Sequence, residues 1–429
     1  MESKNKLSLR IPQCGSLSFY RSLLHHPILT TFRDLMATYQ TEDTVVSQDL
    51  YFQLKARLLA YSFKKNEAFQ YAKTPWKDYI ISEIVSNENP LTLLFERGIV
   101  SDKHPFYKSM ETDIQILNDL YHFNWKQFLD QSGLDDNNIF DITIFFPMPP
   151  HDTIAAAFKT GDLSTVFHAI NRYIRENGLG LFENNTSFKI NLSGNLVPIP
   201  SRTYKTMDTI IGNDRQKNAL ITNTAAFIKH YTGLNVLLKG DMGTGKSTMV
   251  KALLETFKGT KLRMIEFKKE QIEKLPSIIS QIKDRPYPFI LFVDDLSFDD
   301  KESDFKLFKN ILEGSLEDNP ENVLIYATSN KRHLVSETQS ERKDAVHAKD
   351  VMEEKLSLSS RFGLVLNFTA PDQKSYLEIV HQMAKDAGIN LPKDTLDGRA
   401  IQWELRHLNR SGRTAEQFIE YLLIKQNNN

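Results

Sequence analysis

The chain has 429 residues, 25% of them charged and 41% hydrophobic, a net charge of −1 and one cysteine, Cys14. This is the composition of an ordinary soluble globular protein, and the length predicts two or three domains. A lone cysteine excludes an internal disulfide, the charge is balanced in both halves, and no apolar run nears the ~18–20 residues of a membrane helix.

The first twenty residues, MESKNKLSLRIPQCGSLSFY, lack the apolar core of a signal peptide, so a cytoplasmic location without a membrane is expected. From Ser16 to about Gly180 apolar residues recur at helical spacing, as in Leu54, Leu58 and Leu59, in Tyr79, Ile80, Ile84 and Val85, and in Ile114, Leu117, Leu120 and Tyr121. Pro75, Pro90, Pro105 and the cluster FFPMPP at 145–150 separate these helices. Residues 1–192 therefore read as a mainly α-helical N-terminal domain. Its aromatic patches, 61–76 and 121–128, interleave with lysines as some nucleic-acid platforms do, but aromatics at helical spacing more often form core.

Residues 193–207, SGNLVPIPSRTYKTM, carry two prolines, a glycine and small polar residues, which suits a linker or strap. Beyond it, β-rich runs alternate with helical ones: NVLLK (235–239), KLRMIEF (261–267), FILFV (289–293), NVLIYA (322–327) and LVLNF (364–368). That alternation predicts an α/β unit with a parallel five-stranded sheet over 208–370. Residues 371–429 return to helix, with Tyr376, Leu377, Val380, Met383 and Ala384 on one face.

The NVLLK run leads into GDMGTGKST, that is Gly240, Asp241, Met242, Gly243, Thr244, Gly245, Lys246, Ser247 and Thr248. Glycines at this spacing let backbone N–H groups curl around a phosphate chain. The lysine would reach the β- and γ-phosphates of ATP, and Ser247 would offer a hydroxyl to Mg²⁺. A helix starting at the loop adds its positive end.

About 50 residues later the apolar run FILFV ends in two acids, Asp294 and Asp295. A carboxylate at the end of a buried strand is what a P-loop ATPase needs beside Mg²⁺, and Asp294 is the candidate. Its neighbour points the other way on an extended chain, so Asp295 is the candidate to orient the attacking water.

GDMGTGKS, LFVDD, IYATSN and SSRFG, in this order, resemble the motifs of AAA+ ATPases, with the C-terminal helices as their lid. FVDDLSF and LSSRFG are similar to motifs of bacterial replication initiators and helicase loaders. The segment from Asp294 to Leu334, followed by EKLSLSSRFG, looks most like a bacterial AAA+ family catalogued as a domain of unknown function. The resemblance implies ATP hydrolysis with Mg²⁺ in a homo-oligomer. It makes Asn330 a polar sensor, Arg361 an arginine finger acting in trans on a neighbouring subunit, and Arg413 a second sensor, with Arg410 its rival. Ile210, Ile211 and Gly212 match the segment that packs on adenine.

FKKEQIEKL (267–275) lacks the aromatic-apolar-glycine loop of polypeptide-threading relatives. Lys268 and Lys269 leave a nucleic-acid contact open but unsupported. The polar stretch after Asn330 reads as a mobile segment, and His333 and His347 near it have no second ligand pair at metal spacing. Three functions stay open: an ATPase that loads or remodels an unknown protein partner through its N-terminal domain, a nucleotide-dependent binding switch with little turnover, and a P-loop small-molecule kinase.

Overall fold

The computed structural model describes residues 9–41, 44–65, 75–100, 103–134, 152–200, 204–296, 302–313, 320–330, 360–407 and 410–427. The expected mobile stretch after Asn330, His333 and His347 included, and the cluster FFPMPP lie outside them. The chain divides into two compact units, Met1–Asn184 and Asn185–Asn429.

The first unit is helical, with α1 (Pro27–Gln40), α2 (Thr44–Lys65), α3 (Pro75–Ser86), α4 (Pro90–Arg97), α5 (Tyr107–Tyr121), α6 (Trp125–Ser132), α7 (Asp152–Thr160) and α8 (Leu163–Asn177). Prolines start helices here as well as separating them, because the first helical position needs no N–H donor. Pro90 follows the N-cap Asn89, whose side chain accepts from the backbone N–H of Leu91 and Thr92. The described aromatics of the two sequence patches go mostly to the core: Trp76, Phe123, Trp125 and Phe128 are buried, and Trp76 meets Phe32 with ring centroids 4.8 Å apart. The fully buried carboxylate of Asp113 accepts from three successive backbone N–H groups, those of Ser18, Phe19 and Tyr20, at 2.8–2.9 Å. That satisfies its charge and ties the N-terminal segment to α5.

The second unit holds a seven-stranded sheet: β1 (Ser187–Ile190), β2 (Leu196–Pro198), β3 (Val236–Gly240), β4 (Arg263–Phe267), β5 (Phe289–Val293), β6 (Val323–Ser329) and β7 (Leu364–Phe368). Their order is β2-β1-β4-β5-β6-β3-β7, with every pairing parallel except β1 with β2. The five strands read from the sequence are present as β3 to β7. They are legible because parallel strands covered on both faces are almost wholly apolar; every residue of β5 is buried.

Two strands were not foreseen. Ser187, Phe188 and Lys189 pair with Met264, Ile265 and Glu266 of β4, and β2 folds back on β1. This moves the start of the α/β unit from the expected 208 back to 185 and turns part of the expected linker into sheet. A four-residue strand with one exposed lysine between buried Phe188 and Ile190 is too short to carry a period.

Helices α9 (Asp214–His230), α10 (Lys246–Thr256), α11 (Leu275–Ile282) and α12 (Glu302–Glu313) connect the strands. After β7 come α13 (Gln373–Asp386), α14 (Lys393–His407) and α15 (Gly412–Asn427), which pack around Tyr376, Val380, Ala400, Phe418 and Leu422. A largely parallel sheet carrying the GDMGTGKST loop at the end of β3, followed by a C-terminal helical subdomain, is the α/β architecture with a helical lid that the sequence motifs implied.

Candidate functional site

Ligands of open α/β sheets bind beyond the carboxyl ends of the strands, and the P-loop leaves β3 there, between β6 and β7. Gly240 has φ +144°, and a Cβ built on it would lie 1.8 Å from the carbonyl oxygen of Phe368. Only glycine lets β3 and β7 approach this closely as the loop begins. The Asp241 N–H donates to the Phe368 carbonyl at 3.3 Å, and the Asp241 carboxylate accepts from the Ala370 N–H at 3.1 Å. Gly240 and Asp241 thus anchor the loop to the end of β7, and neither lines the cavity described next.

A cavity of about 1010 Å³ opens over the loop. Met242, Gly243, Thr244, Gly245, Lys246, Ser247 and Thr248 form its floor. Asp294, Asp295 and Asn330 line it from the ends of β5 and β6, and Ile210, Ile211 and Gly212 line it from the segment before α9. Arg413 reaches it from the first turn of α15.

Lys246, only 5% exposed, donates through Nζ to the carbonyls of Gly240 at 2.8 Å and Asp241 at 2.7 Å. Burial lowers its pKa, and the nearby carboxylates of Asp241, Asp295 and Asp294 oppose that shift.

The two adjacent acids divide. Asp294 Oδ1 accepts from Ser247 Oγ at 2.6 Å and from Thr328 Oγ1 at 2.7 Å. Asp295 turns away with φ +55°, its Oδ1 accepting from Asn330 Nδ2 at 2.9 Å. The hydroxyl of Ser247 and the carboxylate of Asp294 form a pair of hard oxygen donors, which fits Mg²⁺ carried by a nucleotide. Among the described residues no group of three or more His, Cys, Asp or Glu could hold a metal by itself.

The lid touches the loop directly. The Gly412 N–H donates to the Gly243 carbonyl at 3.1 Å, and a Cβ on Gly243 would lie 2.7 Å from Ser411 Oγ. Ser411 caps α15 by accepting from the Thr414 N–H at 3.1 Å. This aims the positive end of α15, with Arg413, at the cavity. Arg410 is instead paired with Glu404 at 2.8 Å and does not line the cavity.

Arg361 also lies apart. It precedes β7 by three residues, and Leu364 pairs with Val236 at the start of β3 whereas Phe368 pairs with Gly240 at its end. The length of β7, roughly 13 Å from first to last residue, separates Arg361 from the end of the sheet where the GDMGTGKST loop begins.

Sequence reading missed several lining residues. Tyr204, Lys205 and Thr206 of the expected linker border the cavity, and Lys205 pairs with Glu416 of α15 at 3.1 Å. Pro371, Ile379 and Met383 add apolar wall from the lid. Helical spacing marks Ile379 and Met383 as one face of α13, but not what that face meets. Thr328 within IYATSN was also passed over; it does not line the cavity but donates to Asp294, which does.

Solved structures similar to this chain include the Thermotoga maritima RuvB Holliday junction branch migration motor, at 16% identity and a TM-score of 0.34, covering 51% of this chain and 72% of that one. Domain III of the Thermotoga maritima replication initiation protein DnaA is similar at 17% identity and a TM-score of 0.36, covering 54% of this chain and 92% of that one. No curated protein matches the chain. A family model described as "Protein of unknown function (DUF815)" matches residues 183–426, beginning within two residues of the second unit's start at Asn185. Since that match spans more than half of the sequence, the chain belongs to the DUF815 family.

Proposed function

We propose that the protein is an AAA+ ATPase that binds MgATP in the cavity between its α/β domain and lid, hydrolyses it in a homo-oligomer, and uses the change to load or remodel a partner. The supporting observation is the convergence of Lys246, Ser247, Asp294, Asp295, Asn330 and Arg413 on one cavity with an apolar end at Ile210 and Ile211. The apolar end suits a base, the P-loop amides suit a triphosphate, and Arg413 supplies a cation at a helix start.

In this reading Lys246 holds the β- and γ-phosphates. Ser247 and Asp294 hold Mg²⁺, which supplies charge neutralisation to the phosphate oxygens when bound. Asp295 orients the attacking water, and Asn330 fixes Asp295 while facing the γ-phosphate. Arg361, at the far end of the sheet from its own phosphate cradle, serves a neighbouring subunit's site. The helical N-terminal unit carries partner specificity.

The test is ATP binding together with assembly state. We expect wild-type protein to bind ATP and change its assembly with it, and Lys246→Ala to bind ~10- to 100-fold more weakly because a charge-assisted contact is lost. An unaltered affinity in the variant, with no ATP-dependent assembly of the wild type, would sink the reading.

A second reading, a nucleotide-dependent switch with little turnover, is favoured by one observation. The Asp295 carboxylate already accepts from Asn330, and aspartate is one methylene shorter than glutamate, so its reach toward water is limited. Steady-state phosphate release, measured with and without single- and double-stranded DNA, separates the two, since fast release excludes the switch.

A further inference from the structure

The Asp294–Asp295 pair poses a physical problem: two neighbouring carboxylates must face different ways beside one phosphate site. Thr328, on β6 and 2% exposed, touches three successive residues of the turn that divides them. Its hydroxyl donates to Asp294 Oδ1 at 2.7 Å and accepts from the Asp295 N–H at 2.9 Å, and its carbonyl accepts from the Leu296 N–H at 2.7 Å.

A hydroxyl has one proton to donate and lone pairs to accept with, so the same oxygen serves both contacts without conflict. The first contact occupies one side of the Asp294 oxygen that also accepts from Ser247, and so fixes that carboxylate's direction. The second satisfies the N–H of a residue at φ +55°, a left-handed conformation unfavourable for a non-glycine residue. With the hydroxyl removed, the Asp295 N–H loses its partner and the turn can relax toward ordinary φ. Asp295 would then swing out of line with Asn330.

We propose that Thr328 is the positioning residue that splits the acid pair, its one hydroxyl holding the Asp294 carboxylate against Ser247 and Asp295 in its left-handed turn. This rests on the MgATP reading above. It predicts that Thr328 sets how strongly Mg²⁺ tightens nucleotide binding, while the P-loop's grip on the phosphates is independent of it.

The test uses full-length protein, a fluorescent ATP analogue and three versions of the chain: wild type, Thr328→Val, which keeps the shape but lacks the hydroxyl, and Thr328→Ser, which restores it. Binding with EDTA reports the P-loop alone, and the ratio of affinities with Mg²⁺ and with EDTA reports the positioned acid. We expect all three to bind alike with EDTA. The Mg²⁺ enhancement and phosphate release should both fall about 10-fold or more in Thr328→Val and recover in Thr328→Ser.

A Thr328→Val protein with wild-type Mg²⁺ enhancement overturns the proposal. So does a Thr328→Ser protein as impaired as Thr328→Val. If Thr328→Val loses EDTA binding or fails to fold, Thr328→Ser decides alone, and a reduced Mg²⁺ enhancement there also overturns it. A wild type that binds no nucleotide refutes the MgATP reading itself, which is a different result.

Discussion

Two adjacent aspartates end the most apolar strand of the protein, and their partners set them apart: Ser247 and Thr328 for Asp294, Asn330 for Asp295. Removing the charge of Asp295 while keeping its shape should therefore spare binding and slow chemistry. We expect Asp295→Asn to hold ATP with near wild-type affinity and to release phosphate at least ~100-fold more slowly, measured in single turnover. Equal slowing of binding and turnover would assign Asp295 to the phosphate cradle instead. At this scale the sequence was most legible where chemistry demands a pattern: glycines, lysine and serine at P-loop spacing, then an acid at a strand end. Thr328 was illegible because a threonine inside an apolar strand is ordinary, and its role arises only from β5 lying beside β6. Whether Arg410 or Arg413 faces the cavity depended on a partner, Glu404, whose burial no local pattern announces.

Elements place these residues, and the junction of β3 with β7 is the tightest of the placements. Because a Cβ at Gly240 would collide with the Phe368 carbonyl, Gly240→Ala must push the P-loop off β7 or part the strands. We expect a loss of stability of at least about 1–3 kcal/mol, read by thermal melting, together with weakened ATP binding. An alanine variant with unchanged melting and binding would mean that the loop is not held by β7. The five strands β3 to β7 could be read from their apolar runs, whereas β1 and β2 could not, since three or four residues define no period. The strap carrying Tyr204 escaped for another reason: its contact with Glu416 spans most of the unit's sequence, and composition records only that it contains prolines.

For the whole molecule, the separation of Arg361 from its own phosphate cradle bears on how many chains make one active site. Neither Lys246→Ala nor Arg361→Ala should support turnover alone. Mixed, the two should recover a fraction of wild-type phosphate release, because some interfaces then join an intact P-loop to an intact arginine. A mixture as inactive as its components would place Arg361 outside the reaction, and an active Arg361→Ala protein alone would do the same. The helical unit Met1–Asn184 lies almost wholly outside the family match.

The β1–β2 hairpin also protects the protein from itself. Without it, β4 would end the sheet as a five-residue strand whose free N–H and C=O groups could pair with the same strand of another copy, an invitation to aggregation. β1 occupies those groups. β2, which then becomes the outermost strand, is only three residues long and closes on Pro198, which has no N–H to offer. Chains that begin at 208, as the motifs alone suggest, should therefore precipitate where chains that begin at 185 stay dispersed.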